Sequence, residues 1–177
     1  MHPGTLALSV FLTLFALTAQ AAEELSWDDL IPPEVREVME MAPLVYDLAD
    51  MADGLSDEDF DGPLVQIERS APVVAKLDGR EVKLPGYIVP LGFTAEGEVN
   101  EFLLVPYFGA CIHVPPPPSN QIIDVHFEPG TDDDNLYDAI LVSGRLTTET
   151  YSHDMGTAGY RLEAYSIQPF ETSSYFD

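Results

Sequence analysis

From Leu64 onward, apolar and polar residues alternate in short runs bounded by glycine, proline and acidic clusters, the pattern of strands with one buried face. Five runs stand out, 82–91, 101–107, 121–127, 139–148 and 160–167, all rich in β-branched, leucine and aromatic residues. In the fourth, Ile140, Val142, Gly144 and Leu146 share one parity, opposite Leu141, Ser143 and Arg145. Gly86 and Gly144 interrupt strand patterns and predict bulges or sharp bends, which a small closed sheet needs at its corners. Asp78-Gly79 marks a turn, 130–135 an acidic loop and 153–159 a glycine-bearing loop. These features predict a mainly β fold, a small five-stranded OB-like barrel, with an antiparallel sandwich as the alternative.

The region ahead of the strands has a different period. Residues 26–51 read as helical: Ser26 followed by Asp28 and Asp29 suits a helix start, and Pro32-Pro33 opens a second helix at Glu34. Val35, Val38, Met39 and Ala42 form its apolar stripe, and Pro43 breaks it before 44–51. An acidic stretch, 53–62, follows. The expected organisation is a helical N-terminal segment with its acidic linker over 22–62, then a β-barrel domain over 63–177.

Residues 1–21 form a third zone. They contain no Asp, Glu, Lys or Arg, carry an apolar run over 6–17, and end in the small-x-small triplet Ala19-Gln20-Ala21. This is the pattern of a signal peptide, too short to span a bilayer, cleaved before Ala22. A periplasmic or secreted protein is expected, not membrane-embedded after cleavage. With no cysteine near the cleavage site, a lipoprotein anchor is not expected.

Charge narrows the partners. With 31 acidic against 7 basic residues, a formal net charge of −24, the chain repels phosphate backbones, so nucleic acid is not an expected ligand. A strongly acidic surface that keeps the protein soluble at high ionic strength is the simplest reading of the excess.

The one cysteine, Cys111, excludes an internal disulfide. It lies in Phe108-Gly-Ala-Cys-Ile-His113, ahead of four consecutive prolines, Pro115 to Pro118. On extended backbone Cys111 and His113 face the same way, and thiolate with imidazole suits zinc, with His126 and His153 as the further candidate ligands. Against this stands a buried structural thiol. A thiol nucleophile activated by His113, oriented by Asn120 or Asp124, is a further reading. The proline run is expected to be a stiff spacer that sets the pose of the tripeptide.

Three other features bear on function. Asp57, Asp59, Asp61, Gly62 and Glu68 satisfy EF-hand spacing for calcium, although Pro63 and the strand-like continuation suit a solvated acidic linker better. Tyr87, Phe93, Tyr107 and Phe108 suit a stacking platform, but core packing is the simpler use. Arg145 and Arg161, on predicted strands, are expected to pair with neighbouring carboxylates.

The run 102–121 resembles the signature of the bacterial family of unknown function DUF3299, and 77–91 and 156–164 are similar to its flanking motifs. The likeness spans about residues 25–170. It implies an exported protein or lipoprotein, encoded in many bacteria near an ABC transporter of the lipoprotein-release or macrolide-export type and in some within zinc-limitation regulons. The implied role is a metal-binding envelope accessory, with a transporter or lipoprotein component as partner. Cys111, His113, Asn120 and Gln121 carry over only as motif positions. The missing lipobox departs from the lipoprotein members. The alternative is a metal-free module for protein or lipid-cargo binding, and a thiol-dependent enzyme comes third.

Overall fold

The computed structural model of the chain describes residues 21–41, 66, 68–111, 114–132 and 136–170. Its strands are β1 (Glu23–Glu24), β2 (Arg80–Phe93), β3 (Val99–Val105), β4 (Ile123–Thr131), β5 (Ile140–Thr147), β6 (Tyr151–His153), β7 (Gly156–Ala158) and β8 (Tyr160–Pro169). Strand β2 serves two neighbours: from Arg80 to Gly86 it pairs with β5, and from Tyr87 to Phe93 with β3, both antiparallel. The strand turns this corner at Gly86, where a Cβ would lie 2.8 Å from Leu104 and 2.9 Å from the Val105 carbonyl. Continuing round, β3 pairs with β4, β4 runs parallel to β8, and β8 pairs antiparallel with β5. The sheet closes into a five-stranded barrel of OB-like order. A register shift at Ser143/Gly144 bulges β5 against β8, and a Cβ at Gly144 would run into the Glu163 carbonyl.

The predicted alternation decides what fills the barrel. Ile140, Val142 and Leu146 of β5 point inward with Val82, Leu84, Phe102, Leu104, Ile123, Val125 and Leu162. Tyr160 joins them, fully buried; its hydroxyl donates to the Leu30 carbonyl at 2.8 Å and accepts from the Val74 N–H at 2.7 Å. The 3-10 turn Trp27–Leu30 is thereby fastened to the barrel, and α1, Pro33–Met41, follows it in the chain. Asp29 accepts from both the backbone N–H and hydroxyl of Ser26, and Trp27 Nε1 donates to the Pro85 carbonyl at 2.8 Å. The first helical stretch stays one turn long because Pro32 and Pro33 hold Ile31 in extended geometry. The expected continuation over 42–51 and the linker 53–62 lie outside the described residues.

A second, smaller core covers the outside of β2, β3 and the entry to β4, where Val89, Leu103, Val105 and Ile122 meet Ala110, Cys111 and Ala158. The glycine-bearing loop expected at 153–159 is in fact the hairpin β6–β7, too short to show alternation in the sequence. Gln66 ties this layer together: its amide donates to the carbonyls of Pro117 and Thr157 and accepts from the Thr157 N–H. The core-packing expectation fails for three rings, since Phe93, Tyr107 and Phe108 are 57%, 43% and 53% exposed. Among the described residues no helix is long and apolar enough to cross a membrane.

Candidate metal centre

The register of three strands assembles the site. Phe102, Leu104, Ile123 and Val125 point into the barrel, so Glu101, Leu103, Asp124 and His126 point outward. Glu101 sits directly opposite His126 across β3 and β4, and Asp124 lies two residues before His126 on the same face. On the other side, Asp124 is in register with Arg161 of β8, and His126 with Glu163. Three carboxylates, an imidazole and a guanidinium therefore share one patch of the barrel wall.

Ligand-type atoms of Glu101, Asp124 and His126 all lie within 4.8 Å of one another. His126 Nε2 is 3.4 Å from Glu101 Oε1 and 3.8 Å from Asp124 Oδ2, just beyond hydrogen-bond range. Zinc bonds of about 2.0–2.2 Å put neighbouring ligand atoms about 3–4 Å apart, so this spacing fits donors around one ion. Asp124 is wholly buried, yet neither of its oxygens accepts a hydrogen bond, and His126 Nε2 also lacks a partner. Buried polar atoms are nearly always satisfied, so three such atoms on two neighbouring side chains are a signal. Burial pushes the Asp124 carboxyl above its usual range, opposed by the charges of His126 and Arg161, while Glu101 adds to the rise. A divalent cation would satisfy the orphaned atoms. One nitrogen and two carboxylate donors suit a borderline or harder ion, with coordination positions left for water or substrate.

The sequence-predicted residues are distributed differently. His126 is in the site. His153 closes β6, its ring tilted against Tyr151 with centroids 5.5 Å apart. Cys111 is not in the group; it belongs to the outer core. Its extended conformation is corrected: φ is +67°, β3 ends before Pro106, and the Cys111 N–H donates to the Val114 carbonyl while the Val114 N–H donates to that of Gly109. His113 lies outside the described residues, as do Asp57, Asp59 and Asp61 of the calcium pattern. Glu68 instead accepts from the Ser70 N–H at 3.0 Å. Asn120 and Gln121 brace neighbouring segments, donating to the carbonyls of Pro72 and Trp27. Arg145 pairs with Glu81 and Arg161 with Glu163, each at 3.1 Å. Glu101 and Asp124 escaped the sequence reading as ligands, although an aspartate inside Ile122-Ile123-Asp124-Val125 is the kind of buried charge that marks a site.

Desolvation pushes the Cys111 thiol up to about 11. The folded protein is therefore expected to resist iodoacetamide at pH 8, with labelling that accelerates about tenfold per pH unit towards that value and is rapid at once in denaturant. Fast labelling of the folded protein at pH 8 would restore a reactive thiol.

A family model described as a protein of unknown function, DUF3299, matches residues 27–169. The chain belongs to the DUF3299 family. The match takes in the whole barrel and every residue of the patch. This DUF3299 protein is similar to a DUF3299 family protein from Pseudomonas aeruginosa PAO1 whose crystal structure is solved, at 45% identity. The likeness covers 88% of this chain and 100% of the other, with a TM-score of 0.72. Among curated proteins none matches.

Proposed function

We propose that this DUF3299 protein is an exported envelope protein that binds one divalent transition metal, zinc fitting best, through Glu101, Asp124 and His126. The observation that carries the reading is Asp124, a fully buried carboxylate with no hydrogen bond to either oxygen, spaced for a shared ion with an imidazole and a second carboxylate. This reading uses the barrel wall rather than the Cys111-x-His113 tripeptide, and of the four ligands expected from the sequence it uses His126. Export rests on the charge-free, apolar residues 1–21. The role as accessory to an ABC-type transport system rests on the family resemblance.

The test is a titration of the mature, chelator-stripped protein with zinc. One equivalent is expected to bind and to raise the melting temperature, by mass action on the folded state alone. Absence of both uptake and shift rejects the reading. What then stands is a metal-free interaction module, which the exposed rings of Phe108 and Tyr137 beside an apolar groove of about 230 Å³ favour.

A further inference from the structure

We infer that Arg161 is the resident cation of this centre, an internal competitor that sets how tightly the metal is held; the inference rests on the metal reading above. Arg161 faces Asp124 across the parallel pair β4–β8, and its Nε lies 3.8 Å from Asp124 Oδ2. It is held from two further sides. Nε donates to Glu163 Oε1 at 3.1 Å, and the guanidinium carbon sits 5.7 Å from the centre of the Tyr151 ring. The side chain is 26% exposed, so water screens it only in part.

A guanidinium has no acceptor and stays protonated, so it cannot ligate a metal and cannot lose its charge when one arrives. In this position it neutralises the buried Asp124 carboxylate when no metal is bound, and repels a divalent ion that takes its place. Glu163, in register with His126 and bonded to the same Nε, provides the berth that draws the guanidinium away from Asp124. The centre thus holds two ligand carboxylates and one fixed positive charge, and metal competes with that charge for Asp124.

An orienting role would give the opposite sign. Partners that merely position a ligand weaken metal binding by about 10–100-fold when removed. A competitor, on removal, tightens it. The test measures zinc affinity by competition with a chromophoric chelator at fixed ionic strength, on wild-type protein and the variants Arg161→Gln, Arg161→Lys and Glu163→Gln. The expected result is binding roughly tenfold or more tighter in Arg161→Gln, from loss of a unit charge a few ångströms from a ligand atom. Arg161→Lys, which keeps the charge, is expected to stay near wild type. Glu163→Gln, which removes the berth, is expected to bind several-fold more weakly. Melting curves in chelator show which variants are folded, and Glu163→Gln decides the matter if Arg161→Gln is not. Wild type binding zinc while Arg161→Gln binds equally or more weakly, or Glu163→Gln binds no more weakly, overturns the inference alone. No zinc on wild type overturns the metal reading and the inference with it.

Discussion

Replacing His126 by Ala, or Asp124 by Asn, is expected to abolish zinc binding while leaving the barrel folded. Three side chains make the centre, and two donors left on adjacent strands cannot hold an ion as three do. Changing groups that only support a ligand lowers metal affinity about 10–100-fold, so losing a ligand is expected to cost about a hundredfold or more. The Asp124→Asn variant also separates two accounts of the buried carboxylate. In a structural ion pair, removing one partner commonly costs about 3–5 kcal/mol, because the other charge is left buried alone. Here Arg161 keeps Glu163 and partial solvent access, and the orphaned Asp124 oxygens contribute no hydrogen bond that Asn would break. The metal-free Asn variant is therefore expected to melt no lower than metal-free wild type. Chelator titrations read the first effect and melting curves in chelator the second. Undiminished affinity, or a stability lowered by about 3–5 kcal/mol, counts against the site.

Tyr160→Ala is expected to be the most destabilising single change in the barrel. Removing a fully buried aromatic side chain costs about 3–5 kcal/mol through lost burial and the cavity left behind. Tyr160 is also the sole link described between the Leu30 carbonyl and the Val74 N–H, which its hydroxyl bridges from inside the core. The milder Tyr160→Phe keeps the ring and strands both groups, at about 1–3 kcal/mol. Urea denaturation of the two variants is expected to rank them in that order. A Phe variant as stable as wild type would show that Leu30 and Val74 find other partners.

The barrel was legible because alternation is imposed by burial. Each of the five runs becomes a strand, within a few residues of its sequence bounds, and the Ile140, Val142, Leu146 parity is the inward face. Gly86 and Gly144 were legible for a related reason: both meet backbone or side chain where a Cβ has no room. Other features follow from pairing, which a linear sequence does not display. The hairpin β6–β7 is three residues on each side, too short to alternate visibly. Tyr107 and Phe108 looked like core residues by type, but lie beyond the end of β3, where the chain leaves the sheet at Pro106. The centre itself was legible only in part. His126 stood out as a residue type; that it faces Glu101, and that Asp124 lies buried beside it, depends on the β3–β4 register. Cys111 drew attention as the only thiol, yet it packs into the outer core on left-handed backbone, where burial desolvates the sulfur.

Anomalous diffraction at the zinc edge, from crystals of the zinc-loaded protein, tests the central claim most directly. One peak is expected, about 2.0–2.2 Å from His126 Nε2 and from a carboxylate oxygen each of Glu101 and Asp124. A peak at Cys111 Sγ and His113 instead, or none at the β3–β4 wall in protein shown to carry zinc, would contradict it.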